Sequence, residues 1–337
     1  MAEHLGVSQA WVARALGDDA RISEQSRRRV REAASELGYD PEAHRAARSL
    51  IASRYGRQIS SGVIACLNLS LVVGADPEPN EYGALLLHGV QQAALLQQQE
   101  ILLADPSAGL RHGKVDGILG FGIRAWKMRK EWYPDLPFVM AIEPIPDGHY
   151  VAPDDYGGMR QAMDHLLALG HRRIGYLMYP PSEARAVSRR SEAYRDALRE
   201  AEIVPDPRWV RTIATDPPVF RDLGRAAMSQ WLREDWSGLG ITALLAHNDQ
   251  AAFGAMVALK DAGLRVPEDV SLIGFDGTRD GEHCSPRLTS IRSPLSEMGR
   301  TAAELLLRVM RGEVRDPQQI VLPTTLIERE STARCTT

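Results

Sequence analysis

Cysteine is scarce in this chain, and the few cysteines that occur are poorly placed for a structural site. The 337 residues contain three of them, Cys66, Cys284 and Cys335, an odd number with long separations. A zinc site needs ligands at short, regular spacings, and a disulfide framework needs paired cysteines. We therefore expect free thiols and no metal site.

Long hydrophobic runs are also missing. The longest apolar stretch, VIACLNLSLVVGA at 63–75, is interrupted by Asn68 and Ser70. It is shorter than the roughly 20 residues that cross a bilayer as a helix. The start, MAEHLG, carries Glu3 and lacks the basic and apolar regions of a secretory signal. These absences predict a cytoplasmic protein without a membrane partner.

The sequence offers little that is typical of an enzyme. GFGIRA at 120–125 matches only part of the glycine pattern of dinucleotide-binding loops. His165 and His171 stand without a carboxylate and nucleophile arranged beside them. Asp154 and Asp155 are adjacent, and neighbouring residues of an extended segment point to opposite sides. We expect neither catalysis nor a bound cofactor.

The net charge of −4 conceals a weak asymmetry along the chain. Residues 1–60 hold ten arginines, no lysine and eight acidic residues, so this part has a small positive surplus while the remainder is acidic. A basic head on an acidic body is compatible with nucleic-acid contact at one end, although a difference of this size is weak support alone.

The segment SQAWVARALG, residues 8–17, has apolar residues at helical spacing and ends at a glycine. Small and apolar residues stand at the spacing of a helix-turn-helix, in which the second helix reads DNA. These residues are Ala2, Gly6, Val12 and Ala15. Four positions over so short a stretch also fit a small amphipathic helix, so both interpretations stay open.

A third helix is expected from an N-cap at Ser23 to a C-terminal Gly38. Its inner face is expected to carry Val30, Ala33, Ala34 and Leu37. Near its start lies a cluster of basic residues, which fits either a phosphate-facing surface or a solvated helix face. The cluster consists of Arg27, Arg28, Arg29 and Arg31.

From residue 62 onward, strand-like apolar runs alternate with amphipathic helices over most of the chain. This alternation predicts parallel sheets with helices on both faces. Because the run is too long for one sheet of usual width, we expect an α/β fold with two lobes that follow the helical head. Ligands of such folds bind beyond the carboxyl ends of the strands, often between lobes.

GVSQAWVARALGDDARISEQSRRRVREAASELGYDP resembles the head of the LacI/GalR (lac-repressor-like) transcription regulators. DDYGGMRQAMDHLLALGHRRIGYL, LLAHNDQAAFGAMVALKDAGLRVPEDVSLIGFDG and PRLTSIRSPLSEMGRTAAELLL resemble further family segments, in family order. The resemblance covers essentially the whole chain and implies a core like that of the periplasmic sugar-binding proteins. Heads of this family have further residues ahead of the position of Ala2.

The resemblance implies a homodimer that lays two recognition helices into successive major grooves of pseudo-palindromic operator DNA. The base-facing residues it implies are Ser8, Gln9, Ala10 and Arg14. Arg14 is expected to pair with a guanine edge and Gln9 with adenine. Trp11 is expected to pack on the third helix in preference to contacting a base.

A hinge helix that begins near Pro41 is expected to enter the minor groove, where a leucine wedges between base steps. The family pattern is present here as Ala47-Arg48-Ser49-Leu50, so Arg48 and Leu50 are the implied DNA contacts. Leu50 lies eleven residues after Tyr39, where nine is usual in the family. The hinge is therefore either longer than usual or differently built.

The resemblance further implies a small-molecule effector, in this family commonly a sugar, bound between the lobes. Implied contacts follow predicted strands or begin helices: Asn80, Tyr82, Asp154, Arg190, Phe220, Asn248, Asp249 and Asp276. Taken singly, each also fits a loop cap or a hydrogen-bonded turn. The resemblance leaves a second hypothesis open, a sensor of the same family whose DNA binding is weakened or lost.

The expected domains are a head over 1–40, a hinge and linker over 41–60 and an effector-binding core over 61–337. Within the core, the first lobe is expected over about 61–157 and 288–318, and the second over about 158–287 and 319–337. Only SAGLRHGK separates EILLADP from VDGILG, where relatives fit a helix. One edge or face of the first sheet is therefore expected to be exposed or covered by the partner subunit, unless the Trp- and Lys-rich stretch RAWKMRKEWYPD fills that place.

Overall fold

The computed structural model describes most of the chain and divides it into two compact units. The described residues are 2–16, 22–37, 61–67, 81–104, 115–179, 185–213 and 220–336. One unit comprises residues 1–63 and 110–116, and the other comprises 64–109 and 117–337. The predicted hinge helix, Gly38 and the short connection at 105–114 lie outside the described residues.

The described part of the first unit contains three short helices, α1 (Ala2–Leu5), α2 (Gln9–Leu16) and α3 (Glu24–Glu36). Gly6 has a φ of +65°, which a glycine adopts without steric cost and which allows the tight turn between α1 and α2. The Oγ of Ser23 accepts a hydrogen bond from the Ser26 N–H at 3.3 Å, so the predicted N-cap of α3 is confirmed.

The core of this unit is small and apolar. Val12, Ala15, Ile22 and Val30 are buried together, and Trp11 packs against them, as expected. The prediction for Leu37 was wrong, because this side chain is 50 % exposed. The helix ends at Glu36, so the position one residue later no longer follows the inner face.

The second unit is built on two six-stranded sheets. The first sheet contains β1 (Val63–Leu67), β2 (Glu100–Ala104), β3 (Gly117–Phe121), β4 (Phe138–Ala141), β5 (His149–Pro153) and β11 (Gln319–Leu322). The second sheet contains β6 (Ile174–Met178), β7 (Val210–Thr212), β8 (Ala243–Ala246), β9 (Ser271–Asp276), β10 (Thr289–Arg292) and β12 (Thr325–Ile327). The strand orders are β11-β5-β4-β3-β1-β2 and β12-β10-β9-β8-β6-β7.

Helices connect these strands along the chain. They are α4 (Glu81–Leu96), α5 (Ile123–Trp132), α6 (Asp155–Ala168), α7 (Arg185–Glu200), α8 (Phe220–Glu234), α9 (Trp236–Leu239), α10 (Asp249–Asp261), α11 (Asp280–His283) and α12 (Leu295–Met310). Neighbouring strands pair in parallel from β11 to β1 in the first sheet and from β10 to β7 in the second, whereas β12 pairs antiparallel to β10. The two-lobed α/β architecture predicted from the alternating pattern is therefore present.

The chain passes between the two sheets after β5, after β10 and after β11. The predicted lobe boundaries were wrong at the last two passages. Thr289–Arg292, assigned to the first lobe, forms β10 of the second sheet, and Gln319–Leu322, assigned to the second lobe, forms β11 of the first. Both strands are four residues long, so their own pattern does not show which sheet they join.

In each lobe, two helices approach so closely that glycine is required on both. A Cβ on Gly89 of α4 would lie 1.9 Å from the Ser296 carbonyl oxygen, and one on Gly299 of α12 would lie 2.0 Å from that of Leu86. The pair α8 and α10 repeats this arrangement at Gly224 and Gly254. In the first lobe, the contacts at Gly89 and Gly299 therefore hold α4 against α12, the helix with which the chain returns to that lobe.

β2 forms one edge of the first sheet, and its leucines are accessible, Leu103 being 54 % exposed. This agrees with the expectation of an exposed edge. α5 follows β3 and leads to β4, so the Trp- and Lys-rich stretch is the β3–β4 connection and does not stand between β2 and β3. Within the described ranges, no helix is both long and apolar enough to cross a membrane.

Candidate functional site

Polar side chains converge where strands of the second sheet end and α4 of the first lobe begins. The Arg279 N–H donates to the Glu81 Oε2 at 2.6 Å, which joins the loop after β9 to the first turn of α4. Burial in this region and the Asp276 carboxylate raise the pKa of Tyr82, the next residue of α4, well above its usual value. The two lobes therefore meet at the place where the strand order predicts a ligand site, which we call the candidate cleft.

Arg190 of α7 lies close enough to Tyr82 for its charge to act on that side chain, and it is 7 % exposed. Its Nε donates to the Asp155 Oδ1 at 2.6 Å, and its Nη1 donates to the His247 carbonyl oxygen, also at 2.6 Å. The guanidinium carbon lies 3.6 Å from the centre of the Phe275 ring, a cation–π contact. Three elements thus hold the arginine in one orientation.

Asp154 and Asp155 have different surroundings. Asp154 precedes α6, and its Oδ1 accepts the Gly157 N–H at 2.8 Å, so it caps the helix. Asp155 is the first residue of α6 and faces Arg190; burial raises the pKa of its carboxyl group despite the arginine beside it. The expectation that the two side chains diverge is correct, but sequence reasoning selected Asp154 as the effector contact and missed Asp155.

Asp276 ends β9 with a φ of +115°, a conformation that side chains rarely adopt. Its carbonyl oxygen accepts the Ser293 N–H at 3.1 Å. Burial, and then the negative charge of Asp249, raise the pKa of its carboxyl group well above the usual value. Among the residues that the structure describes, no hydrogen bond is made to the Asp276 carboxylate, which leaves it available to a ligand.

Asp249 has a supporting role and does not face the cleft. It is fully buried; its Oδ2 accepts both the N–H and the hydroxyl of Thr278, and its Oδ1 accepts the Ser290 hydroxyl. Burial raises the pKa of this carboxyl group to about 6. The predicted direct effector contact is therefore not seen: Asp249 holds the loop that follows Asp276.

Asn248 and His247 follow β8. The Asn248 Oδ1 accepts the Ala251 N–H at 2.8 Å, so this side chain caps α10, which is the alternative that the sequence left open. The His247 ring packs edge-to-face on Tyr179 with ring centres 4.5 Å apart. Burial, reinforced by Arg190, lowers the pKa of His247 well below its usual value. The imidazole is therefore neutral, and sequence reasoning overlooked it although it directly precedes Asn248.

Several predicted contacts lie outside the described part of the chain. Asn80, Arg48 and Leu50 are among these residues, as are the side chains of Ala10 and Phe220. Their proposed roles stay predictions.

On the helical head, the Ser8 Oγ accepts the Trp11 N–H at 3.2 Å, so Ser8 caps α2. Gln9 and Arg14 of the same helix are exposed. In α3, Arg28 pairs with Glu32 at 3.1 Å and Arg27 with Glu24 at 3.4 Å. Part of the arginine cluster is therefore used within the helix, while α2 keeps two accessible side chains with the hydrogen-bonding chemistry that reads base edges.

Among the described residues, no group of three or more His, Cys, Asp or Glu side chains is placed to hold a metal ion. The three cysteines are free, as expected. Burial raises the pKa of the Cys66 thiol to about 12, so this cysteine is an inert core residue.

Comparison with known proteins agrees with this architecture. A profile for "Bacterial regulatory proteins, lacI family" matches residues 1–42, and one for a "Periplasmic binding protein-like domain" matches residues 163–332. The transcriptional regulator CelR of Thermobifida fusca is 32% identical over 97% of this chain and 95% of its own length. The transcriptional repressor CytR of Escherichia coli K12 is 33% identical over 97% of this chain and 93% of its own.

The chain belongs to the lacI family. The predicted family and fold class are thereby confirmed: a helix-turn-helix head precedes a periplasmic-binding-protein-like core, and the protein is a DNA-binding transcriptional regulator. Among solved structures, the CelR–cellobiose complex has a TM-score of 0.70 and 28% identity, with 98% of both chains covered. The lac repressor dimer bound to operator has a TM-score of 0.74 at 24% identity, which shows the shared fold.

Proposed function

We propose that this lacI-family protein is a homodimeric repressor that binds a pseudo-palindromic operator and is controlled by a carbohydrate bound between its lobes. The proposal assigns operator recognition to α2 and effector recognition to the cleft around Arg190. Ser8, Gln9, Ala10 and Arg14 are the proposed operator contacts of the head.

The observation that carries the effector assignment is the set of contacts around Arg190. This buried side chain is held by Asp155, by the His247 carbonyl and by the Phe275 ring, and the Asp276 carboxylate lies nearby. A ligand with many hydroxyl groups needs fixed acceptors and donors in a partly dry site. Because these groups are oriented before a ligand arrives, little ordering is needed on binding.

Relatives support the same assignment. CelR, similar over nearly the full length of this chain, has been solved as a complex with cellobiose, and CytR is a transcriptional repressor. A lac repressor structure with the same fold is a dimer bound to operator. A two-fold dimer that presents two recognition helices matches a half-site repeat about one helical turn long.

Control of DNA binding requires that the effector binds one arrangement of the lobes better than another. The Glu81–Arg279 hydrogen bond shows that the two lobes touch at the mouth of the cleft. A bound carbohydrate that contacts both α4 and the loop after β9 would favour this closed arrangement. We propose that closure of the two lobes is the change that alters DNA binding by the helix-turn-helix head.

Selection of binding sites from a random duplex pool, followed by fluorescence anisotropy, tests the proposal. We expect a palindromic consensus, an affinity that falls steeply between 50 and 200 mM salt, as phosphate contacts require, and a shift in affinity on addition of one carbohydrate. Arg190→Ala should keep operator binding and lose the carbohydrate response. Failure to select any consensus would instead support the hypothesis of a sensor with weak or lost DNA binding, and an unchanged response in Arg190→Ala would reject the cleft.

A further inference from the structure

The described chain passes between the two lobes at three short connections. They follow β5, β10 and β11 and consist of Asp154, residues 293–294 and residues 323–324. The strands β5 and β11 are neighbours that pair in parallel, with Pro153 beside Leu322. The first and third connections therefore leave the first sheet side by side, so a displacement of the first lobe acts on both.

Hydrogen bonds fasten these two connections to each other. The Asp154 N–H donates to the Leu322 carbonyl oxygen at 2.8 Å, and the Thr324 hydroxyl donates to the Asp154 carbonyl oxygen at 3.0 Å. Thr324 is 6 % exposed, so water competes little for its hydroxyl. The Thr324 side chain thus links the segment that leaves the first sheet to the residue that directly precedes α6.

The same segment is bound to the second turn of α6. The Gln161 Nε2 donates to the Thr324 carbonyl oxygen, and the Gln161 Oε1 accepts the Leu326 N–H, both at 3.0 Å. A Cβ on Gly158 would lie 2.7 Å from the Thr324 Oγ1, so the threonine lies directly against the helix. Residues 324–326 and the start of α6 therefore form one hydrogen-bonded unit.

This unit carries a group of the candidate cleft. Asp155 accepts the Arg190 Nε at 2.6 Å, and Arg190 lies in turn on the Phe275 ring, 3.6 Å from its centre. The carbonyl that Thr324 holds belongs to the peptide group between Asp154 and Asp155. Because a peptide group is planar, fixing this carbonyl also fixes the direction in which the Asp155 backbone continues. The Thr324 hydroxyl therefore acts on the residue that holds the arginine.

The remaining connection, after β10, is held by main-chain groups. The Ser293 N–H donates to the Asp276 carbonyl oxygen at 3.1 Å. A contact between main-chain groups survives most substitutions, whereas the contact of Thr324 with Asp154 depends on one hydroxyl. The link between the lobes can therefore be tested at Thr324 by a single change.

We propose that Thr324 is a positioning residue that couples effector binding to operator binding. Its hydroxyl holds the Asp154 carbonyl, and with it Asp155 and Arg190, in a fixed position relative to the segment that follows β11. A carbohydrate that fixes Arg190 thus acts on the first lobe, and a displacement of the first lobe acts on the candidate cleft, as reciprocal linkage requires. This inference rests on the proposed function, because it assumes a carbohydrate in the cleft and an operator on the head.

Fluorescence anisotropy of the full chain on its selected operator measures the coupling. The dissociation constant is determined without sugar and with glucose, galactose or cellobiose, and the sugar that shifts it most in the wild type is used for the variants. The coupling factor is the larger constant divided by the smaller, commonly about 5–150. Thr324→Val keeps the branched shape and removes the hydroxyl, and we expect it to lower this factor by about threefold or more.

Thr324→Val is expected to fold, because the Asp154 carbonyl oxygen keeps a second donor, the Gly158 N–H at 2.9 Å. Thr324→Ser retains the hydroxyl and should keep the wild-type coupling factor. Thr325→Val removes a hydroxyl from the exposed neighbouring residue of β12 and should also keep it. A general loss of stability would change operator affinity with and without sugar alike, and would leave the coupling factor unchanged.

A second measurement needs neither sugar nor DNA. Urea unfolding of Thr324→Val, Arg190→Ala and the double variant shows whether the two residues interact through Asp155. We expect Thr324→Val to lower stability less in the Arg190→Ala background than in the wild type, since the pair that it positions is already lost. The same cycle with Thr325→Val should be additive.

The outcomes separate this inference from the proposed function. An unchanged coupling factor in Thr324→Val, a reduced factor in Thr324→Ser, or additive effects of Thr324→Val and Arg190→Ala would overturn the role of Thr324 while leaving the carbohydrate cleft in place. A wild type whose operator binding responds to none of the three sugars would reject the proposed function, and the coupling with it.

Discussion

Arg190 and Asp155 form a buried ion pair in which the Arg190 Nε lies 2.6 Å from the Asp155 Oδ1. The pair joins α7 to the first turn of α6, where the helix N-terminus also favours a carboxylate. Both side chains are less than one-tenth exposed, so neither charge is well solvated by itself. The cleft therefore depends on this pair both for its shape and for its electrostatic balance.

Replacing Arg190 by alanine should leave the Asp155 carboxylate buried without its partner. Loss of one member of a buried pair costs about 3–5 kcal/mol, so we expect a lower free energy of unfolding in urea and loss of carbohydrate binding. Arg189→Ala is the matched control, since that neighbouring arginine is half exposed and pairs with Glu192. A control that loses stability equally would show that the effect belongs to the helix rather than to the buried pair.

Asp155→Asn tests the same pair from its other side. The amide oxygen can still accept from Arg190, but the guanidinium loses its buried counter-charge. We expect a smaller loss of stability than in Arg190→Ala, together with weaker carbohydrate binding in calorimetry. A loss larger than that of Arg190→Ala would contradict the ranking.

Much of this architecture follows from local sequence pattern. The alternation of apolar runs and amphipathic helices predicted two α/β lobes, and Ser23 was identified as a cap because its hydroxyl acts on backbone three residues away. Such contacts are local, so the sequence contains all that determines them. Arg190 was found because its segment resembles a family segment.

The parts that sequence reasoning missed depend on distant contacts. Asp155 contacts Arg190, which is 35 positions away in the sequence. Because α6 begins at Asp155, Asp154 caps the helix and Asp155 faces the arginine, so a shift of one residue in the helix start would exchange these roles. Asp249 was assigned to the ligand because it follows a strand, yet its oxygens are taken by Thr278 and Ser290, brought close by the sheet. Likewise, the sheet that a short strand such as β10 joins is decided by the strands beside which it pairs, and not by its own four residues.

Close helix packing predicts that Gly299→Ala destabilises the first lobe. The added methyl group would lie 2.0 Å from the Leu86 carbonyl oxygen, so α4 and α12 must separate. Overpacking usually costs about 1–3 kcal/mol, and a clash with a backbone oxygen belongs to the upper part of that range, above the gain of about 1 kcal/mol in helix propensity. We expect a lower midpoint in urea unfolding.

Gly238→Ala serves as the control for this variant. Gly238 lies in α9, and an added Cβ there meets nothing within 4 Å. Only the propensity term remains, so stability should stay the same or rise. A rise in both variants would show that the α4–α12 contact adjusts without cost.

The buried Asp249 carboxyl group predicts a pH dependence of stability. Its pKa is raised from 3.8 to about 6, so the folded state holds this proton more tightly than the unfolded state does. Its contribution is therefore complete below pH 4 and is lost as the pH rises through about 6. We expect the stability of the wild type, relative to Asp249→Asn, to fall between pH 4.5 and 7.5.

Urea unfolding at both pH values measures this difference. The comparison uses the change with pH and not the absolute stability, because Asp249→Asn also disturbs the hydrogen bond with Ser290. Asp261→Asn removes an exposed carboxylate that pairs with Arg225 and should show the same pH dependence as the wild type. A wild type that gains stability relative to Asp249→Asn on going to pH 7.5 would contradict the raised pKa.

Arg14 on α2 predicts a base-specific loss of DNA affinity. Its side chain is exposed on the helix whose N-terminus is capped by Ser8. If its guanidinium pairs with a guanine edge, Arg14→Ala should lose about 1–3 kcal/mol on the selected operator and lose discrimination at one base pair. Arg28→Ala removes an arginine that is paired with Glu32 on α3 and should change specific and non-specific binding by the same small factor. Competition binding against single-base operator variants separates base reading from phosphate contact. A loss of affinity in Arg14→Ala that is uniform across all operator variants would mean that Arg14 contacts a phosphate and reads no base.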